Sequence, residues 1–327
     1  MERKFTNNKT IIIAEAGVNH NGNITLAKKL IDVAKNAGAD FVKFQSFKTE
    51  NLVRKNNNQF KILKKLEISE NDTTNLIKYC KKKKIKFLST PFDLESLKIL
   101  FKKKIFNIKI SSGEITHLQL LKQVAKRAKK VFISTGMSNL HEILLAIKTL
   151  NDNGVSKKKI TVLHCHTSYP TMLRDVNLLA MTTIKKKLKV NVGYSDHTLS
   201  NETAIAAVAL GAKVIEKHIT LSRKLTGPDH KASMEPDKFK KFVAQIRNTE
   251  KLMGSSLKRP SKLEVKMRKK VRKSVVARMN IHKGELFTMK NTICKRPEGG
   301  IPSKNWNKVI GKKSKFNFNT DEQIKLK

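Results

Sequence analysis

Eight short apolar runs occupy the chain between Ile11 and His218, and each ends in a cluster of polar side chains. They are Ile11 to Gly17, Ala39 to Gln45, Ile85 to Thr90, Phe106 to Glu114, Val131 to Gly136, Ile160 to His166, Val190 to His197 and Ala212 to His218. Most are β-branched, as strands buried on both faces of a parallel sheet require. The segments between them are long enough for a helix and carry helical spacing, for example Leu26, Leu30, Ile31, Val33, Ala34 and Ala37 ahead of Gly38. Strand alternating with helix eight times predicts an α/β fold, a closed (β/α)8 TIM barrel. In such a barrel the strand C-termini converge on one face. Polar residues far apart in sequence then share one site.

A chain of 327 residues exceeds the roughly 250 of a single barrel. Met234-Glu235-Pro236-Asp237 opens a helix that runs to about Met253, and Gly254-Ser255-Ser256 with Arg259-Pro260-Ser261 breaks it. The expected organisation is a catalytic barrel over 1–255, a connecting segment over 256–273 and a small β-rich domain over 274–327. Within the connection, 262–273 is highly charged and reads as a linker with room for a helical turn. The C-terminal domain is short for independent stability and would gain from docking on a partner. No internal repeat is visible, and lysine runs are the only compositional bias.

No apolar run approaches the eighteen residues of a membrane span, and Glu15 interrupts the N-terminal one. Cys80, Cys165 and Cys294 are widely spaced and odd in number, as free thiols in a reducing compartment are. A soluble cytoplasmic protein is expected. The net charge of +43 raises the question of nucleic acid. The excess is mostly lysine, spread over helical segments such as Lys81 to Lys84 and Lys185 to Lys187. Arginine, the bidentate reader of phosphate, is scarce, and three Tyr and one Trp leave few stacking platforms. Solvated helix faces account for the charge, which also favours encounter with an anionic substrate.

His197 and His218 close two adjacent runs. Neutral imidazoles there would ligate a divalent metal and leave positions open for water and substrate. Equally, each is a hydrogen-bonded residue at a strand end. Asp196 and Glu216 beside them fit ligand or ring-orienting roles. Lys43 lies in an otherwise apolar strand, where an unpaired ammonium is costly, so it needs an anion. Lys109-Ile110-Ser111-Ser112-Gly113-Glu114 and Ser134-Thr135-Gly136 offer cationic and small donors suited to phosphate or carboxylate. Glu15 and Glu114 are candidate carboxylates for proton transfer, with ion pairs to Lys43 or Lys109 as the structural alternative.

The strings AEAGVNHNG, KFQSFK, FLSTPFD, KISSGE, STGMS, HCHTSYPT, GYSDHT, ALGAKVIEKHIT, GPDHKASMEP and KRPEGGI, in this order and spacing, resemble the bacterial sialic acid synthase family. The resemblance spans residue 10 to about residue 325 and implies a barrel followed by a small antifreeze-like, or SAF, domain. It also implies condensation of phosphoenolpyruvate with an open-chain N-acyl-mannosamine-type aldehyde, releasing phosphate. His197 and His218 would hold the metal, manganese before magnesium or cobalt. Lys43, Lys109, Ser112, Ser134 and Ser195 match positions that bind phosphoenolpyruvate. Glu15, Gln45, Tyr169 and Asp229 match positions around the sugar or the reacting groups, and Glu15, Glu114 and Glu216 are the candidate catalytic carboxylates. Arg296 in KRPEGGI matches an arginine that one subunit inserts over the other's active site, which implies a swapped homodimer.

The pattern puts N-acetylneuraminate synthase first, with N-acetylmannosamine as acceptor. The alternative is a legionaminate synthase or, less favoured, a pseudaminate synthase acting on 2,4-diacetamido-6-deoxy sugars. His166 and Thr167 depart from the Thr and Asn that many members carry there, which bears on the sugar side of the site. A 3-deoxy-keto-acid synthase on the same barrel would give no reason for KRPEGGI. A non-catalytic basic barrel that binds anionic polymers would predict loss of the site residues, and they are present.

Overall fold

The computed structural model describes residues 9–327 and divides at Gly254 into two compact units. In the first, eight parallel strands form a closed barrel in sequence order. They are β1 (Ile11–Gly17), β2 (Phe41–Ser46), β3 (Lys86–Pro91), β4 (Asn107–Ile110), β5 (Lys130–Ser134), β6 (Ile160–Cys165), β7 (Asn191–Asp196) and β8 (Val214–His218). Each is followed by at least one helix on the outer wall.

The helix Ile24–Ala37 shows how local sequence builds that wall. Asn23 caps it, its side-chain oxygen accepting from the N–H of Thr25 and Leu26. Ala27, Leu30, Ile31, Ala34 and Ala37 form one buried stripe at helical spacing. Gly38 then ends the helix at φ +85°, a left-handed conformation in which glycine avoids the Cβ penalty. The last barrel helix, Pro236–Met253, returns to the start of the chain. There Arg247 donates to the Thr10 carbonyl (2.8 Å), to Glu250 (2.8 Å) and to Asp40 (3.1 Å), latching the barrel closed.

The barrel interior is layered by the two-residue period of a strand. Ile13, Phe41, Leu88, Phe132, Leu163 and Val214 form an apolar plug. Two residues further along the same strands come Glu15, Lys43, Thr90, Ser134, Cys165 and Glu216. One strand face thus supplies the floor and then the walls of a site at the C-terminal mouth.

The second unit spans Ser255–Lys327. Its two-stranded antiparallel sheet pairs β9 (Ser274–Ala277) with β10 (Thr292–Lys295). Isolated bridges such as Ile281 to Phe318 and Leu286 to Lys313 extend the β character. Val275, Ala277, Ile281, Phe287, Val309, Phe318 and Ile324 form its own core. The charged stretch read as a linker with room for a helical turn carries a ten-residue helix, Lys262–Val271. Its Ser261 and Glu264 satisfy each other's backbone N–H in a capping box, a start signal masked by the surrounding lysines.

Candidate active site

A cavity of about 200 Å³ opens at the C-terminal ends of the barrel strands. Eleven of the fourteen residues singled out from sequence line it: Glu15, Lys43, Gln45, Lys109, Ser112, Ser134, Tyr169, Ser195, His197, Glu216 and His218. Three do not. Asp229 stands beside it, with Oδ2 3.6 Å from His218 Nδ1. Glu114 lies in the 3-10 turn that follows β4, 2.7 Å from His117 Nδ1, and is one residue beyond the lining Gly113. Arg296 belongs to the second unit, just after β10.

Glu216 is the electrostatic hub. Its Oε2 lies 2.8 Å from Lys43 Nζ, and its Oε1 accepts from Ser195 Oγ at 2.9 Å and lies 3.6 Å from Lys109 Nζ. Burial works to raise its pKa, but the charges of Lys109 and Lys43 and the hydrogen bonds from Lys43 and Ser195 outweigh it and take the value down to about 2. Glu15, 3.4 Å from Lys43, goes the other way. Burial lifts it to about 7 against the pull of Lys43, with the charge of Glu216 adding to the rise. The Gln45 amide reaches its Oε1 at 3.5 Å. One carboxylate is therefore firmly ionised, and the other exchanges its proton near neutrality.

The two lysines differ as well. Burial disfavours the Lys43 ammonium, but Glu15 and Glu216 more than compensate and raise its pKa. Lys109 falls to about 8, because burial outweighs its attraction to Glu216. Its Nζ donates to Ser134 Oγ (2.6 Å) and to the Ile110 carbonyl (3.0 Å). With Ser112 and Ser195 it forms a cationic, hydroxyl-rich wall suited to an anion. Thr90 and Ser111 extend this wall with buried hydroxyls that have no hydrogen-bond partner. Thr90 was legible from the strand period, two residues after the plug residue Leu88.

Opposite in character is the histidine pair, whose ring centroids lie 5.3 Å apart. Burial lowers His197 to about 4 and His218 well below its ordinary value, so both imidazoles are neutral at physiological pH. His197 Nδ1 lies 2.5 Å from the His166 carbonyl. A carbonyl only accepts, so Nδ1 carries the proton and Nε2 keeps its lone pair. His218 Nδ1 is buried without a hydrogen-bond partner. Among the described residues no group of three or more His, Cys, Asp and Glu gathers as a cation cage. Two neutral nitrogens, one of them orphaned, fit a divalent ion that takes its remaining ligands from water and substrate.

Residues 30–258 match the NeuB family model and residues 272–327 the SAF domain model. The chain belongs to the NeuB family. Its similarity to two N,N'-diacetyllegionaminic acid synthases is near full length. The Campylobacter jejuni protein is 48% identical over 97% of this chain and 99% of its own. The Legionella pneumophila protein is 41% identical over 94% and 91%. A solved N-acetylneuraminic acid synthetase from Leptospira borgpetersenii is 35% identical over 80% of this chain and 90% of its own, with a TM-score of 0.75. As a NeuB-family member with this barrel and SAF domain, the protein is a synthase-type enzyme. Thr167, singled out for its departure from the family pattern, lines the mouth, and so do Phe92 and Met137, which were not anticipated as site residues. Met137 sits at φ +65°, a costly conformation for a side chain that is 76% exposed.

Proposed function

We propose that this NeuB-family enzyme is an N,N'-diacetyllegionaminate synthase. It would condense phosphoenolpyruvate with a 2,4-diacetamido-6-deoxy mannose-type aldehyde and water, and release phosphate. This corrects the order suggested by the sequence motifs, which put N-acetylneuraminate first. The observation that carries the sugar assignment is the drop in identity from 48% and 41% for the two legionaminic acid synthases to 35% for the N-acetylneuraminic acid synthetase.

The reaction class rests on the two walls of the cavity. Lys109, with Ser112, Ser134 and Ser195, would take the phosphate of phosphoenolpyruvate, and Lys43 its carboxylate. Glu216 would keep both ammoniums aimed into the cavity. His197 and His218 would hold a divalent ion, manganese first and magnesium or cobalt as alternatives, which when bound would polarise the aldehyde oxygen. C3 of the enol then attacks the aldehyde carbon, water adds at C2, and the C–O bond to phosphate breaks. Glu15, poised near pH 7, would exchange the proton of the new hydroxyl with solvent, and Gln45 would fix its carboxylate. Tyr169 and Asp229 would contact the sugar, and Glu114 would steer the incoming water.

A homodimer in which Arg296 of one copy covers the cavity of the other follows from the family resemblance and is part of this reading. So is a cytoplasmic location; no helix among the described residues is long and apolar enough to cross a membrane.

The experiment is phosphate release from phosphoenolpyruvate with Mn2+, comparing the 2,4-diacetamido-6-deoxy sugar that leads to legionaminate, its pseudaminate counterpart and N-acetylmannosamine. Turnover is expected with the first, and is expected to stop with chelator and in His218→Ala. Preference for N-acetylmannosamine would restore the neuraminate reading. Silence with all three in folded, metal-loaded protein would overturn the synthase assignment.

A further inference from the structure

The two histidines are each preceded in sequence by a buried charge. Asp196 and Lys217 are register partners on β7 and β8, and the strand period turns them away from the cavity that His197 and His218 line. Their side chains are at most 1% exposed, and Lys217 Nζ lies 2.8 Å from Asp196 Oδ2. The same ammonium donates to the Thr198 carbonyl at 2.6 Å. Asp196 Oδ1 accepts from the Thr198 N–H (2.9 Å) and hydroxyl (2.8 Å), and Oδ2 accepts from Thr203 Oγ1 (3.0 Å). The Phe242 ring of the Pro236–Met253 helix stands 5.7 Å from Lys217 Nζ.

His197 is therefore bracketed. The residues before and after it are both tied to Lys217, and Lys217 is covalently next to His218. From inside the barrel, His197 is held by the His166 carbonyl and by the Tyr169 ring 4.1 Å away. The hold on His218 is looser: its Nδ1 has no hydrogen-bond partner, Asp229 Oδ2 stands 3.6 Å away and the Tyr169 ring meets it edge-on at 5.7 Å, so its direction depends more on where β8 places its backbone. A buried ion pair is a poor source of stability compared with apolar side chains of the same volume, so geometry is the better reason for this one.

We propose that Asp196 and Lys217 are positioning residues. They clamp the ends of β7 and β8 together and so fix the directions in which the two imidazoles present their nitrogens. The inference rests on the reading of His197 and His218 as the metal-holding pair, and its test separates the two.

The variant is Asp196→Asn/Lys217→Met, which removes both charges together and leaves no lone buried ion. Its folding is checked by circular dichroism. In metal-free protein, 15N NMR of the imidazoles, with the His197 signals assigned by their loss in His197→Gln, reports the tautomer. Wild type should show the Nδ1–H form alone, and the double variant a mixture of the two tautomers. Calorimetric titration with Mn2+ should show affinity lowered by about 10- to 100-fold, the usual effect of losing an outer-shell partner. Lys43 and Lys109 lie on β2 and β4, and only Ser195 and Glu216 of their seat lie on the clamped strands, so kcat should fall by more than KM for phosphoenolpyruvate rises.

A folded double variant with the wild-type tautomer and Mn2+ affinity, differing only in melting temperature, would reduce the pair to a fold anchor and overturn the proposal. Wild-type protein that takes up no Mn2+ would overturn the metal reading alone, and the tautomer ratio would still decide the positioning. Thr203→Val removes one hydrogen bond from Asp196 and keeps the ion pair. Should the double variant not fold, Thr203→Val is expected to give a smaller shift in the same direction, and no shift would overturn the clamp.

Discussion

Lys43 Nζ lies 2.8 Å from Glu216 Oε2, with neither side chain more than 5% exposed. The pair joins β2 to β8 across the position of β1, whose Glu15 lies 3.4 Å from the same ammonium. Lys43 therefore neutralises two carboxylates that are almost wholly buried in the cavity wall. Its replacement by methionine fills the volume but leaves Glu15 without its nearest cation and Glu216 with Lys109 alone. Loss of one partner of a buried pair costs about 3–5 kcal/mol. Lys43→Met should lower the urea-unfolding free energy by that order, and Lys43→Met/Glu216→Gln should recover part of it. A loss below about 1 kcal/mol would mean that water reaches the pair.

Gly193 on β7 sets a second, steric requirement. A Cβ there would stand 2.4 Å from the Val214 carbonyl and 2.6 Å from Leu163 Cδ2. The first contact is backbone of β8, which carries Glu216 and His218, so relief requires moving the strand that bears them. Gly193→Ala should cost about 1–3 kcal/mol by overpacking and lower kcat in addition. Gly113→Ala is the stability control, since its Cβ would meet nothing closer than Ser111 Oγ at 3.8 Å. Equal melting temperatures for the two variants would show that β8 yields without cost.

Much of the architecture was legible because a barrel strand writes two signals at once. The run Ile11 to Gly17 coincides with β1, and its alternation separates plug residue Ile13 from site residue Glu15. Apolar periodicity speaks for contacts along one element. It says little about partners far apart in sequence, such as Arg247 and Asp40, or Glu114 and the strand ends around it. The helix at Lys262–Val271 was obscured because its lysines read as a solvated linker, although Ser261 and Glu264 carried the start signal. Sugar choice is the least legible part. The residues proposed to hold phosphoenolpyruvate and metal carry no information about the acceptor, and Thr167 and Tyr169, which line the same cavity, lie in the irregular segment after β6, where strand periodicity no longer applies.

Closure of the barrel supplies a prediction remote from the chemistry. Arg247 joins the last helix to Thr10, Asp40 and Glu250, and its side chain is 19% exposed. Arg247→Ala removes these charge-assisted bonds and leaves Asp40 still accepting from the Ile12 N–H at 2.9 Å. A loss of about 2 kcal/mol is expected, with kcat and KM within twofold of wild type at 25 °C. A tenfold drop in kcat would show that closure at the base of the barrel is felt at its mouth.

Glu15 links stability to pH with a definite sign. Its pKa rises from 4.5 to about 7 on folding, chiefly through burial. The folded state therefore holds this proton more tightly than the unfolded chain. The stabilisation is fully present below 4.5 and is lost as pH rises through 7. His197 contributes in the opposite sense, because its lowered value makes folding more favourable as pH rises from about 4 towards 6.5. A single pH profile thus mixes both. The comparison that isolates Glu15 is wild type against Glu15→Gln, which keeps the shape and cannot titrate. Between pH 5 and pH 8 the stability of wild type should fall relative to the variant by about 2–3 kcal/mol, from the size of the shift. Lys109, lowered to about 8 by burial, adds stability only as pH rises through that value, so its contribution begins at the end of this window. Parallel profiles for the two proteins would show that Glu15 is ionised throughout, and would remove it as the group that exchanges a proton at neutral pH.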